Sequence, residues 1–184
     1  MVGVFENPRD IALWIQQKKR FGLLTRDSAL VVLSPYLDFN PDGDIYSDYN
    51  WLRFLLEMEL VSRVFVIPPS NVVKNHPEWF QCHLTLCEEI NKQGYDLNLL
   101  HGIKEWPFYV GDVILVIDLA YFRDKVFVKG EDINIVMKIL NLQRVLKERN
   151  VKIEALLIFS WPKDVREKEA EIILEQILEV FSIK

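Results

Sequence analysis

Four apolar runs limit what this chain can fold into: Leu30 to Leu37, Val61 to Ile67, Val113 to Leu119 and Ile153 to Ser160. Each is short, and each carries apolar side chains at odd and even positions alike. A strand with one wet face alternates apolar and polar residues. A run that is apolar on both faces is covered on both, as central strands of a parallel sheet are. Segments with helical spacing lie between the runs. That alternation predicts one α/β domain over residues 1–184, a three-layer doubly wound fold around a mostly parallel sheet of five or six strands. Leu97 to His101 and Lys125 to Val128 are the shorter strands expected beside the central ones.

The helices announce themselves by their ends. Asn7-Pro8-Arg9-Asp10 reads as a capped start, followed by Ile11, Trp14 and Ile15 at helical spacing and a Lys18-Lys19-Arg20 close before Gly22. Ser47 is the expected cap of a second helix, with Tyr46 stapled to Trp51 and an inward stripe of Trp51, Phe54, Leu55 and Met58. Pro77 opens a third, with Trp79, Cys82, Leu86 and Ile90 as its apolar face. A helix from Asp132 to Arg149 is expected to turn Ile133, Val136, Met137 and Leu140 inward. Asp164 and Glu167 begin the last helix, which runs to about Phe181.

Charge excludes some partners. A net charge of −5 disfavours general binding to nucleic acid or to an anionic membrane, both of which need a basic surface. The N-terminal residues have no cationic start leading into an apolar core, and no run reaches the ~18 apolar residues needed to span a bilayer. Cys82 and Cys87 fall on different faces of one helix, too far apart to bridge. Reduced thiols and the missing export signal point to the cytoplasm.

Chemistry is expected beyond the carboxyl ends of the strands, where open parallel sheets bind their ligands. Those ends carry Asp38, Ser70 with Asn71, His101, Asp118 and Ser160. After the first run comes an acidic loop, and Asp38-x-Asn40-x-Asp42-Gly43-Asp44 resembles the first positions of an EF-hand calcium loop. Oxygens at alternate residues and a glycine at the sixth position wrap such a loop around a hard cation. Tyr49 stands where that motif has its closing Glu. The site expected is therefore a divalent-cation centre, with Asp38, Asn40, Asp42 and Asp44 as metal ligands and Mg or Ca as cofactor. Asp38, Asp118 and His101 are the expected catalytic residues, histidine because it titrates near neutral pH without perturbation.

The order Asp38, Ser70-Asn71, Lys104, Gly111-Asp112 resembles that of the haloacid-dehalogenase-like phosphatases, with Asn40 where their first motif has a second Asp. The resemblance implies metal-dependent phosphoester hydrolysis or phosphoryl transfer. His83 and Cys87 form half of a zinc spacing, with no CxxC or HExxH to complete it. Glycines occur singly, so no phosphate-cradling loop and no nucleotide cofactor are expected. The competing expectation is a non-catalytic protein- or ligand-binding module or assembly subunit, in which the acidic loop is a solvated turn. The expected partner is a small molecule or a protein, with homo-oligomerisation left open.

Overall fold

The computed structural model describes residues 1–40, 43–45, 47–105, 112–122, 135–160 and 167–181. Its centre is a six-stranded, all-parallel sheet in the order β1-β6-β5-β2-β3-β4. The strands are β1 (Val2–Phe5), β2 (Ala29–Leu33), β3 (Arg63–Ile67), β4 (Leu97–Leu99), β5 (Asp112–Asp118) and β6 (Lys152–Phe159). The four apolar runs supply the inner strands β6, β5, β2 and β3, in agreement with their sequence pattern. Helices α1 (Pro8–Arg20), α2 (Trp51–Glu57), α3 (Ser70–Asn75), α4 (Pro77–Lys92), α5 (Ile135–Glu148) and α6 (Glu167–Val180) connect and cover them.

Period-two alternation splits the core into two layers. Leu30, Val32, Val64, Val66, Ile114, Val116, Leu157 and Phe159 pack under α1, α2 and α4 through Ile11, Ile15, Trp51, Leu55, Phe80 and Ile90. Val31, Leu33, Phe65, Ile67, Leu115, Ile117, Leu156 and Ile158 face α5 and α6 through Ile139, Leu142, Leu146, Ile173 and Ile177. This is the doubly wound, three-layer arrangement. The winding direction reverses between β2 and β5, whose connections leave to opposite faces, so the switch point lies there.

Several local expectations change. β2 stops at Leu33 rather than continuing to Leu37, because Pro35 lacks an N–H and the Ser34 hydroxyl accepts the Tyr36 N–H at 3.2 Å, turning the chain. α2 begins after Asn50 rather than at Ser47, and Met58, expected inward, lies exposed past its end. On α4 the buried residues are Phe80, Cys87 and Ile90, while Cys82 is exposed. On α5 the inward residues are Ile139, Leu142, Val145 and Leu146, and Met137 and Leu140 face out. On α4 Trp79, Leu86 and Ile90 pack on the core as expected and Cys82 turns out, whereas on α5 the stripe is rotated, because long apolar side chains on the wet face imitate the core stripe.

Two elements carry no sequence signal of the kind used above. β1 is an edge strand of 4 residues with Gly3 inside it, and α3 is a helix of 6 residues directly before α4. The expected strand at Lys125 to Val128, the loop from Trp106 to Tyr109, and Tyr46, Asp42, Ile133 and Asp164 lie outside the described residues. Among the described residues no helix is long and apolar enough to cross a membrane.

Candidate functional site

The carboxyl ends of β2 and β5 meet at the switch point. Leu33 pairs with Ile117, which sets Ser34 beside Asp118. The Ser34 hydroxyl donates to Asp118 Oδ2 at 3.0 Å, and the Ala120 N–H donates to Oδ1 at 2.9 Å. Ser34 and Asp118 are both fully buried. A carboxylate enclosed this way stays only because its oxygens are satisfied.

Asp38 lies nearby in chain terms but points into a different environment. It is also buried, and the Trp51 indole N–H donates to its Oδ2 at 2.9 Å. The rest of the acidic loop is organised by Asn50 and Arg53. Asn50 is buried; its Oδ1 accepts the Asn40 N–H at 2.5 Å, and its Nδ2 donates to the Asp44 carbonyl at 2.9 Å. Arg53 donates to the Gly43 carbonyl at 3.2 Å. Asp44 is exposed, and Asp48 accepts the Arg9 N–H at 3.3 Å. Gly43 is required for a local reason: a Cβ there would lie 2.6 Å from Asn50 Nδ2 and 3.0 Å from Asn40 Nδ2. Among the described residues no group of three or more His, Cys, Asp or Glu side chains could hold a metal ion.

His101 follows β4, three strand positions from β5, or roughly 14 Å at ~4.8 Å per strand. Its ring packs on Phe80 with centroids 4.3 Å apart, and its N–H donates to Glu105 at 3.0 Å. It lines a cleft of about 530 Å³ with Ser70, Asn71, Lys104, Tyr121 and Lys138. Neither Asp38 nor Asp118 lines that cleft, so the three residues expected to be catalytic are not gathered in it. Of the expected set, the fold brings Asp118 to the switch point, Asp38 to the base of the loop and His101 to a neighbouring cleft.

The phosphatase-like ordering breaks at one residue. Asp112 opens β5 at the amino edge of the sheet, where it accepts from Thr25 Oγ1 at 2.8 Å and pairs with Lys152 at 2.5 Å. Asp38, Ser70 and Lys104 follow strands at the opposite edge. Asp112 is a strand-start residue here, and Gly111 lies outside the described residues. The half-zinc spacing also has other partners: the His83 ring stacks on Trp79 at 4.2 Å, and Cys87 is buried among apolar neighbours.

Sequence reasoning missed Ser34, Asn50, Trp51 and Lys138 as site or site-supporting residues. Ser34 sat inside an apparent strand, Trp51 in an apparent core stripe, and Lys138 on the solvent face of a helix. The one available signal was Ser34-Pro35, a pair that ends a strand.

The fold is an arginase/agmatinase-like α/β architecture. A protein described as an agmatinase from Clostridium difficile superposes with a TM-score of 0.63 at 12% identity, over 99% of this chain and 66% of that one. The proclavaminate amidino hydrolase of Streptomyces clavuligerus gives 0.57 at 14% identity, over 98% and 63%. The T. brucei arginase-like protein gives 0.55 at 14% identity, over 100% and 59%. This chain therefore spans less than two thirds of the length of each of the three. No family model and no curated protein sequence matches it. At these identities the likeness is one of fold.

Proposed function

We propose that this chain is a metal-dependent hydrolase acting on a carbon–nitrogen bond of an amidino or guanidino compound, at the carboxyl ends of β2 and β5. The supporting observation is the buried Asp118, held by Ser34 and the Ala120 N–H at the switch point of a fold shared with proteins named as an agmatinase, an arginase-like protein and an amidino hydrolase. The displacement of Asp112 to the far edge removes the support for phosphoester chemistry.

The donors proposed for a cation are Asp38, Asn40, Asp42 and Asp44 of the loop, with Asp118 as a separate carboxylate at the switch point. This set is all oxygen, which fits a hard divalent ion such as Mg²⁺, Mn²⁺ or Ca²⁺. Such an ion, when bound, polarises the scissile group and acidifies a water. The chain's own residues fix the carboxylates: Ser34 and the Ala120 N–H set Asp118, and the Trp51 indole sets Asp38. His101 serves as acid or base only for a substrate that reaches across from β5 to β4.

The second reading is a cytoplasmic binding or assembly module. It is favoured by the absence of a three-residue metal-ligating group among the described residues. One experiment separates the two. The EDTA-treated protein is titrated with Mg²⁺, Mn²⁺ and Ca²⁺ while its melting temperature is followed, and urea release from arginine and agmatine is assayed in parallel. The hydrolase reading expects a cation-dependent rise in Tm, lost in Asp118→Asn and in the Asp38→Asn, Asp42→Asn double variant, together with metal-dependent urea release. A flat cation response and no urea from either compound favour the module.

A further inference from the structure

The charge of −5 is a sum over the chain, and the end of α1 at the amino edge of the sheet departs from it. That helix closes on Lys18, Lys19 and Arg20, and the turn leading into β2 adds Arg26. Between these cations stand two apolar side chains that the core does not take: Phe21 is 67% exposed and Leu23 is 53% exposed. Gly22 separates them at φ +68°, and a Cβ built there would meet nothing within 4 Å. Open space around three successive residues makes this a convex tip rather than the wall of a groove.

The tip is held in place. The Gly22 N–H donates to the Lys19 carbonyl at 3.0 Å and the Leu23 N–H to the Lys18 carbonyl at 2.9 Å, the paired bonds of a glycine-closed helix end. Leu24, next along the chain, is buried. The Lys19 ammonium donates to the Thr25 and Arg26 carbonyls at 2.5 and 2.8 Å, and the Thr25 N–H donates to Glu154 at 2.6 Å. Lys19 is thus part of the scaffold, with Glu154 and Asp27 as the acidic groups acting on it. The other three cations keep their charge. The Lys18 ammonium lies 5.3 Å from the centre of the Trp14 ring, and among the described residues no carboxylate pairs with Lys18, Arg20 or Arg26.

Cations in a last turn offset the helix dipole, but that role calls for neither an exposed phenylalanine nor an arginine beyond the helix end. Apolar side chains that can enter the acyl boundary, rimmed by cations that stay at the headgroups, suit an anionic bilayer. A second copy of the chain would instead need a broad self-complementary patch, which a convex tip does not offer. We propose that the turn between α1 and β2 docks this protein on anionic membrane surfaces, with Phe21 and Leu23 inserting and Lys18, Arg20 and Arg26 supplying the attraction. This edge lies opposite the carboxyl ends of β2 and β5, so the proposal goes beyond the hydrolase reading and does not depend on a metal.

The test is flotation of the protein with phosphatidylcholine vesicles, with and without phosphatidylserine, at low and high salt. Binding only to the phosphatidylserine vesicles, weakened by salt, is expected. Arg20→Gln and Arg26→Gln should each weaken it about fivefold, the loss of one cation near a charged surface. Phe21→Ser with Leu23→Ser should weaken it by about tenfold or more with every cation retained. All four side chains are exposed, so the melting temperatures should stay near the parent's. The arginine variants leave the apolar tip intact and carry the test even if the double serine variant unfolds. Equal flotation with and without phosphatidylserine, no flotation with either, or binding undiminished in the arginine variants overturns the proposal. So does a dimer that the double serine variant dissociates without any vesicle binding, which would assign the tip to a second copy. A flat divalent-cation response would sink the hydrolase reading and leave this one standing.

Discussion

The indole N–H of Trp51 donates to Asp38 Oδ2 across 2.9 Å, and both residues are buried. One contact thus joins the first turn of α2 to the base of the acidic loop, and makes the loop's first carboxylate part of the core boundary. Trp51→Phe deletes the donor together with one of the two fused rings. It should destabilise the protein by about 1.5–3 kcal/mol, the range for a hydrogen bond to a charged group. Urea midpoints of Trp51→Phe, Asp38→Asn and the double variant form a cycle, and strict additivity would show that the two side chains do not interact.

Gly43 tests the packing of the same loop. An added Cβ would fall 2.6 Å from Asn50 Nδ2, and Asn50 cannot move away without releasing the Asn40 N–H and the Asp44 carbonyl. Gly43→Ala should therefore cost about 1–3 kcal/mol, as overpacking generally does. Gly43→Ala with Asn50→Ala should be less than additive, since removing Asn50 removes the clash. Equal stability of Gly43→Ala and the parent would mean that the loop is loose.

The two thiols should behave unequally. Cys82 is exposed, whereas Cys87 is buried and its thiol is pushed up to about 12, by burial first and the Glu88 charge second. Native protein at neutral pH should take up one equivalent of alkylating reagent quickly and the second only on unfolding. Mass spectrometry of the labelled peptides locates the fast site, and fast labelling of Cys87 would contradict the packing of α4.

Alkaline pH should weaken the fold through Cys87 and Tyr121. Both folded-state values are raised, from 9.0 and 10.0 to about 12. Groups raised in this way contribute stability that is complete below their unfolded values and is lost as pH climbs toward the folded ones. Unfolding free energy should thus fall between about pH 9 and about pH 12. The fall should shrink in Cys87→Ala when each protein is referenced to its own stability at neutral pH. An identical pH slope in both proteins would remove Cys87 from the account.

The opposite edge of the sheet should affect stability and nothing else. Glu154 accepts from the Thr25 N–H at 2.6 Å, Thr25 Oγ1 at 2.8 Å and Ser28 Oγ at 2.7 Å, with Ser28 fully buried. Glu154→Ala should cost about 1.5–3 kcal/mol, because the buried Ser28 hydroxyl loses its charged acceptor and keeps only the Thr25 carbonyl. Cation responses at the carboxyl edge should be unchanged. Altered binding at that edge would show that the two edges are coupled.

The sequence by itself determined the parallel, doubly covered sheet, because a strand wet on neither face must be apolar at every position, and Leu30, Phe65, Ile114 and Leu156 record that locally. It also placed Asp38, His101 and Asp118 after strand ends, which holds in any strand order. Helix phase was less legible: Met58, Met137 and Leu140 are apolar yet exposed, because one periodic stripe fits more than one rotation about the axis. Which strand ends meet was decided only by the tertiary structure. Nothing local in Ser34 or Asp118 says that β2 lies against β5, and nothing local in Asp112 says that it sits at the far edge. Lys104 and Lys138 are unremarkable surface lysines in the sequence. They reach one cleft only when the Ile103–Glu105 turn and α5 pack together, because neighbours in space need not be neighbours along the chain.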